Sequence, residues 1–439
     1  MDAAHATARE IFLEAVRAVE PRAAVHAHCR VAGDTLWIGE QSYDLAGIDR
    51  IVVVGAGKAS AALAQAVEDL LGERISAGVV VVKYGHGAAL RRVRLLEAGH
   101  PVPDEAGEAA AAALMHALEH LGARDLVIAC WSGGASALTP SPLPGLTLAD
   151  KQAVTRLLLG SGADIVAVNT VRKHLSQLKG GQLARRAAPA AVACLVISDV
   201  VGDGLETIGS GPFYPDRGTF AEALALVDRH ALRDQLPAAA RAALVRGAAG
   251  GSPETPKPGD PCFARVHHCI VASSRQAVAA AAVAAAARGY RPAIIGAPQV
   301  GEARAAGATL VAQARELQSR GQRGCLIAGG ETTVALGPAP GRGGRNQELA
   351  LSAALALDGG DGITVLAGGS DGNDGPTDAA GAIADGTTVA RARARGMEAA
   401  RHCDSHDAYP LFAALGDLLL TGATGTNVMD LTLALIAPV

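Results

Sequence analysis

Aromatic residues make up only 3% of this 439-residue chain, and no basic tail or basic patch interleaved with aromatics runs through it. The stacking platforms and positive stripe of a nucleic-acid binder are therefore missing. Lys plus Arg number 39 and Asp plus Glu 43, a formal net charge of −4 that gives nucleic acid no attraction. Long hydrophobic runs are absent too. The longest bland one, 277–287, is mostly alanine, is bounded by Arg275 and Arg288, and is too short to cross a bilayer. No two of the seven cysteines form a C-x-x-C pair, and their number is odd. Several lie in or beside apolar strand-like runs, which reads as buried reduced thiols in a cytoplasmic protein. The first 20 residues carry Arg9, Glu10, Glu14, Arg17 and Glu20 among apolar ones, the pattern of an amphipathic helix rather than a signal peptide.

What is present is core-forming material: 49% hydrophobic against 19% charged residues. A chain of this length is expected to form two domains. Eight short β-rich runs read as buried strands: 51–54, 78–82, 125–129, 192–197, 268–272, 292–295, 324–328 and 362–367. Alanine- and leucine-rich segments of helical length separate most of them. Such alternation predicts βαβ units and a parallel sheet covered on both faces, an α/β fold. The stretch 247–261 (GAAGGSPETPKPGDP) reads as a linker or long loop. It predicts a larger N-terminal domain, 1–250, and a smaller C-terminal one, 262–439.

Two apolar runs end in acids followed by glycine-rich turns: Leu195 to Asp203, and Ile363 to Gly375. Carboxylates at the carboxyl ends of buried strands sit where open α/β sheets bind ligands, and glycine-rich loops let backbone N–H groups approach an anion. Val52 to Ser60 reads as strand, glycine turn and helix. It departs from the dinucleotide fingerprint, having Ser60 at the third small position and Lys83-Tyr84 where the next strand should end in an acid. It is not a Walker A loop either, since Val52 stands where the first glycine belongs. Lys58 remains, a cation at a helix start, opposed to the helix dipole unless an anion lies between them. The alternative is a structural turn with a solvated lysine.

Cys130 to Ala137 follows another strand and offers N–H and O–H donors from Ser132, Gly133, Gly134 and Ser136, without the G-x-S-x-G of a hydrolase elbow. A plain strand-to-helix turn is the competing reading. Asn169 to Gly181 places Arg172, Lys173, His174 and Lys179 on a predicted helix, a basic cluster that meets an acidic substrate or forms a solvated face. Gly329 to Thr333 precedes the glycine-flanked Arg342 and Arg345, whose planar forks suit carboxylate or phosphate. Asp371, Asn373, Asp374 and Asp378 are dense in hard oxygen ligands but lack EF-hand spacing, and Asx turns alone account for them equally well. Thr421 to Val428 again offers small donors, before an expected helix.

Together these segments resemble the type II glycerate kinase family, the D-glycerate 2-kinases with a MOFRL C-terminal domain. The matching pieces are GAGKAS (55–60), GHPVPDEAG (99–107), SGGASAL (132–138), NTVRKHLSQLKGGQLA (169–184), SDVVGD (198–203), GSGP (209–212), GGETTV (329–334), GRGGRNQE (341–348), GSDGNDGPTDAAGA (369–382) and TGATGTNV (421–428). They span nearly the whole chain in one order. The resemblance implies a Rossmann-like N-terminal domain, a smaller α/β domain and a site in the cleft between them. It implies ATP-dependent phosphorylation of the 2-hydroxyl of D-glycerate to 2-phosphoglycerate, with Mg2+ or another divalent metal, by a cytoplasmic monomer or homodimer.

By position the family's important lysine, acid and arginine fall on Lys58, Asp199 and Arg345. Lys58 is expected to stabilise the transferring phosphoryl group. Arg345 is expected to clamp carboxylate or phosphate, and Asp199 to activate the hydroxyl or hold metal. Gly57, Ser132, Gly133, Gly134, Ser136, Arg172, Lys173, Ser210, Glu331, Thr332, Asn346 and Glu348 are expected at the substrate or phosphate. Asp371, Asn373, Asp374, Asp378, Thr424 and Asn427 are expected on the nucleotide or metal side, with Asp199 and Asp371 as metal candidates. Two other readings stay open. Some family members carry the name hydroxypyruvate reductase, and an NAD(P)-dependent reductase would explain the turn at 55–57. A non-catalytic sugar-acid binding protein would need the glycine loops but not the acids.

Overall fold

Phe12, with Ala8, Ile11 and Ala15, forms the buried stripe of a helix over Ala3–Ala18, the amphipathic spacing expected of the N-terminal segment. The computed structural model describes residues 3–337 and 339–438; Met1 and Asp2 of the expected helix lie outside the described residues. Strands β1 (Cys29–Ala32), β2 (Thr35–Ile38) and β3 (Gln41–Asp44) form an antiparallel meander. Six more follow: β4 (Arg50–Ala56), β5 (Ile75–Lys83), β6 (Arg94–Ala98), β7 (Asp125–Trp131), β8 (Ala191–Ile197) and β9 (Val266–Ala272). They make one sheet in the order β6-β5-β4-β7-β8-β9, with parallel pairing from β6 through β8. Every residue of β7 and β8 is buried, which explains why these strands read as unbroken apolar runs.

The strand order sets the place of the site. The chain builds outward from β4 through β5 to β6, then returns to lay β7 on the other side of β4. The order reverses between β4 and β7, the switch point outside whose carboxyl ends an α/β sheet leaves a crevice. Both glycine turns, Gly55–Lys58 and Ser132–Ser136, leave these two strands at that point.

The C-terminal strands are β10 (Arg291–Ile294), β11 (Gln299–Glu302), β12 (Gly324–Thr333), β13 (Ile363–Gly369), β14 (Gly381–Asp385), β15 (Leu418–Leu419) and β16 (Asp430–Ile436). Their order is β10-β12-β16-β13-β14-β15, with β11 also on β12. This sheet is mixed, not parallel as the alternation predicted. β16 lies antiparallel to both β12 and β13, at the centre. The helix expected after Val428 is therefore a strand. Its alternating Leu431, Leu433 and Leu435 fill the face packed against the first helix and the alanine-rich helix Ser274–Ala287.

Two compact units result. One contains Ala24–Ser198 and Asp203–Val271; the other contains the residues up to Ala23, Asp199–Gly202 and those from Ala272 onward. The expected cut at 250–262 differs from this division, because the first helix and the Asp199 turn belong with the C-terminal strands. Of segment 247–261, Gly247 and Ala248 close a helix and Pro261 opens a short 3-10 turn; the residues between form a loop pinned to the N-terminal unit. The Thr255 hydroxyl donates to Asp216 at 3.0 Å, and Glu254 accepts the Phe220 N–H at 2.9 Å. The basic helix ends early, at His174, and 175–181 is a turn with Gly180 and Gly181 at φ +59° and +84°. Among the described residues all seven cysteines are unpaired and five are buried; burial pushes the Cys403 thiol up to about 11. Among the described residues no helix is long and apolar enough to cross a membrane.

One buried acid fixes the approach to β6. Glu68, on helix Ser60–Leu71, accepts backbone N–H bonds from Arg91, Arg92 and Val93 at 2.7–3.0 Å. Burial pushes its carboxyl up, but these donors outweigh it and hold it below the ordinary 4.5. The depressed value means its contribution is complete above that pH and is lost on acidification. Glu68→Gln should cost about 1.5–3 kcal/mol at neutral pH in urea unfolding. The difference from wild type should shrink as the pH falls well below 4.5.

Candidate active site

In the N-terminal unit the two glycine turns are stitched together. Lys58 N–H donates to the Gly133 carbonyl at 2.9 Å, Ser132 N–H to the Ala56 carbonyl at 3.1 Å, and Ala59 N–H to the Ser132 hydroxyl at 3.0 Å. Gly57 has φ +135°, and a Cβ there would lie 2.1 Å from Ser132 Oγ, so only glycine allows the turns to meet. Ser132 is buried and serves as the strut between them. Lys58 stands half-buried, two residues ahead of helix Ser60–Leu71. Beside it lies His100, which burial, and then the charges of Lys58 and Lys83, push down to about 4, leaving a neutral ring at neutral pH.

The second turn continues into a polar group. Ser136 Oγ lies 3.0 Å from Ser210 Oγ and accepts from Arg172 Nη2 at 2.8 Å. Lys179 Nζ donates to the Ser136 carbonyl at 2.8 Å. Lys173, the neighbour of Arg172, turns away from them to pair with buried Asp216 at 3.3 Å. His174 is structural: its ring bonds the Thr170 carbonyl and Glu254, and packs edge-on against Phe220.

The C-terminal unit centres on Arg345, the first residue of helix Arg345–Leu357. Its Nε and Nη2 donate to the two oxygens of Asp430 at 2.5 and 2.9 Å, and Nη1 lies 2.9 Å from Glu331. Burial opposes the guanidinium charge, but Asp430 and Glu331 outweigh it and raise its basicity. Burial pushes the Glu331 carboxyl up; Arg345 pulls it down, while the charges of Asp430, Asp199 and Asp371 add to the rise. Asp199 and Asp371 therefore share Glu331's neighbourhood. A cavity of about 410 Å³ is lined here by Glu331, Thr332, Arg345, Glu348, Pro376 and His406.

The other expected residues are placed as follows. Asp374 is buried and caps the Arg345 helix: its carboxylate accepts the N–H groups of Asn346 at 3.0 Å and Gln347 at 2.9 Å. The N-cap residue itself is Gly344, and a Cβ there would meet the Asp374 carboxylate at 2.3–2.4 Å. Burial pushes Asp374 up to about 6 against these donors. Glu348 takes Arg304 at 2.5 Å and His406 at 3.0 Å. Asn373 N–H donates to Asp371 at 3.0 Å, Thr424 Oγ1 to the Ser370 carbonyl at 2.5 Å, and Asn427 Oδ1 accepts from Met429 N–H at 3.2 Å. Asp378 sits apart, exposed, with Tyr409 at 2.6 Å. The buried Thr332 hydroxyl and Asn346 Oδ1 have no partner among the described residues. Among the described residues no group of three or more His, Cys, Asp or Glu side chains is set to hold a metal ion by itself.

Sequence reasoning gave no role to His100, Lys151, Gln347 or Asp430. Asp430 carried a usable signal, an acid opening an apolar run, but that run was not read as a strand.

A parallel sheet with stitched glycine turns at its switch point, joined in one chain to an acid-ringed arginine on a mixed sheet, defines a two-unit α/β protein equipped for anionic substrates. Residues 7–245 match the family described as a domain of unknown function, DUF4147, and residues 324–430 match the MOFRL family. The chain is 38% identical over 436 residues to the glycerate 2-kinase of Pyrococcus horikoshii, covering 98% of this chain and 97% of that one. It is 40% identical over 394 residues to the D-glycerate 2-kinase of Thermotoga maritima, covering 89% and 91%. It is also 45% identical over 392 residues, 88% and 87% of the two chains, to an Agrobacterium vitis protein provisionally named hydroxypyruvate reductase. A crystal structure of the Thermotoga maritima glycerate kinase matches with a TM-score of 0.88 at 37% identity over 100% of both chains. The chain belongs to the glycerate kinase family that joins a DUF4147 domain to a MOFRL domain.

The cap on the Arg345 helix is testable. Asp374→Ala should lose about 1–3 kcal/mol of stability, by calorimetry or denaturant unfolding. Activity should fall with it, because the arginine's helix start is unpinned. Unchanged stability would remove the capping role.

Proposed function

We propose that this chain transfers the γ-phosphoryl group of ATP to the 2-hydroxyl of D-glycerate, giving 2-phosphoglycerate and ADP. The observation that carries the reading is that likeness to glycerate 2-kinases runs through both units, so the Lys58 turn and the Arg345 cluster occur in one family chain. We read the N-terminal unit as Rossmann-like, and the protein as a cytoplasmic monomer or homodimer acting on small molecules.

Phosphoryl transfer depends on positioning and charge neutralisation more than on covalent catalysis. The glycerate oxygen bonds to the γ-phosphorus as the β–γ bridging bond breaks, and the hydroxyl proton leaves to a base. Lys58 supplies positive charge to the moving phosphoryl group. Arg345, gripped by Asp430 and Glu331, has its fork held still and offers its remaining N–H groups to a carboxylate or phosphate. Asp199, two residues beyond β8, takes the hydroxyl proton or holds magnesium.

The residues that would hold magnesium are Asp199 and Asp371, whose hard carboxylate oxygens suit that ion and whose charges both reach Glu331. One or two carboxylates with phosphate oxygens and water suffice for that ion. When bound, magnesium neutralises phosphate charge.

The name carried by the Agrobacterium vitis relative favours a second reading, an NAD(P)H-dependent hydroxypyruvate reductase. Against it, β5 runs into Lys83 and Tyr84, with no acid to hold a ribose hydroxyl.

Phosphorus NMR of the products from D-glycerate, ATP and magnesium decides between them. A 2-phosphoglycerate signal is expected. A 3-phosphoglycerate signal would overturn the regiochemistry, and NAD(P)H oxidation on hydroxypyruvate without phosphorylated product would replace the kinase. Lys58→Ala and Asp199→Ala should each lower kcat about 100-fold or more. Retained kcat would remove the role proposed for that residue.

A further inference from the structure

Two buried lysines and a half-buried arginine lie together in the N-terminal unit, and among the described residues no acid balances them. Lys179 is 1% exposed and Lys151 9%. Lys151, on helix Leu148–Gly160, donates to the Leu175 carbonyl at 3.0 Å. Lys179, in the turn that follows, donates to the Ser136 carbonyl at 2.8 Å. Arg172 donates to the Ser136 hydroxyl and, at 3.4 Å, to Asn169. Their charges act on one another: burial, then Arg172, pushes Lys151 down to about 7, and burial, then Arg172 and Lys151, pushes Lys179 well down.

Among the described residues no carboxylate pairs with any of the three. The acids of the adjoining segment are engaged elsewhere. Asp216 faces Lys173, His174 and Thr255, and Glu254 faces His174, Lys257 and the Phe220 N–H. Burying lysines beside another cation without an acid partner is costly, whether the ammonium stays charged or gives up its proton.

The backbone opposite is strained toward the same point. Ser210 holds φ +64°, a conformation rare outside glycine, and its hydroxyl thereby reaches Ser136. Beside the adjacent Gly209 the buried Trp131 indole N–H has no partner among the described residues. A strained serine and one orphaned donor next to unbalanced lysines indicate a built site whose missing component is negative.

We propose that Lys179 and Lys151 are the buried counter-charge of an oxyanion site rimmed by Ser136, Arg172 and Ser210, taking a carboxylate or phosphoryl group of the substrates. Both lysines are positioning residues: Lys179 acts through Ser136, and Lys151 through the 175–181 turn. That the anion belongs to D-glycerate or ATP rests on the kinase reading; the existence of the site does not.

The test compares wild type with Lys179→Met and Lys151→Met, neutral side chains of similar length. Each protein is titrated calorimetrically with D-glycerate alone, ATP alone and inorganic phosphate, and is melted without ligand. Lys179→Met should bind one substrate about tenfold more weakly or worse, leave the other unchanged, and melt no lower than wild type. A loss confined to D-glycerate assigns the carboxylate; a loss for ATP and phosphate assigns the phosphoryl group. Affinities within about twofold of wild type for all three ligands would overturn the proposal. So would an even loss across both substrates with a lowered melting temperature, which would make the lysine a prop for the Ser136 carbonyl. If Lys179→Met does not fold, Lys151→Met carries the same comparison. Failure of the kinase reading would look different: wild type would form no phosphorylated product while the variants still lost anion affinity.

Discussion

The contact between Gly57 and Ser132 is the constraint on which the N-terminal site depends. It exists because β4 and β7 are sheet neighbours although two strands separate them in sequence. Their carboxyl-end turns must then share one small space, and a glycine without Cβ against a buried serine is the arrangement that fits. Once the turns are bonded, Lys58 and the Gly133–Ser136 donors have fixed positions. The switch-point geometry of an open parallel sheet thus converts two ordinary strand-to-helix turns into one recognition surface.

The two units hold charge differently. In the N-terminal unit two buried lysines and a half-buried arginine lie beneath a serine turn, and among the described residues no carboxylate pairs with them. In the C-terminal unit Asp430 and Glu331 grip Arg345. Burying lysines without an acid is not what stability alone would select, since the charge loses its hydration. The proposed reaction between anionic substrates would give the basic group a purpose in drawing oxyanions, and the paired arginine one in holding its fork still.

Much of this was legible in the chain. All eight runs read as strands are strands. In β4, β7, β8 and β13 the reason is burial on both faces, which makes hydrophobicity continuous and easily seen. The strands that escaped notice lack that signal. β6 is Arg-Leu-Leu-Glu-Ala, largely uncovered, and β14 is Gly-Ala-Ile-Ala-Asp, short of β-branched residues. β16 was missed for another reason: Asp430–Ile436 is rich in leucine, which serves helix and strand alike, and its partners lie as far back as residue 324. With β16 went Asp430, and with Asp430 the grip on Arg345.

Within the site, residue type and neighbouring glycines singled out Lys58, Arg172 and Arg345, and family resemblance attached roles to Lys58, Asp199 and Arg345. Local sequence also carried the glycine turns, the apolar strand runs and the acids that follow them, because φ preference and hydrophobic period act over a few residues. Tertiary structure alone decided that Arg172 faces Ser136 while the adjacent Lys173 faces Asp216. It alone decided that Asp374 caps a helix and that Lys151 and Lys179 lie buried with no acid among the described residues paired to them. Burial and charge pairing are set by groups tens to hundreds of residues apart, so the same lysine reads identically in sequence whether solvent or another cation lies beside it.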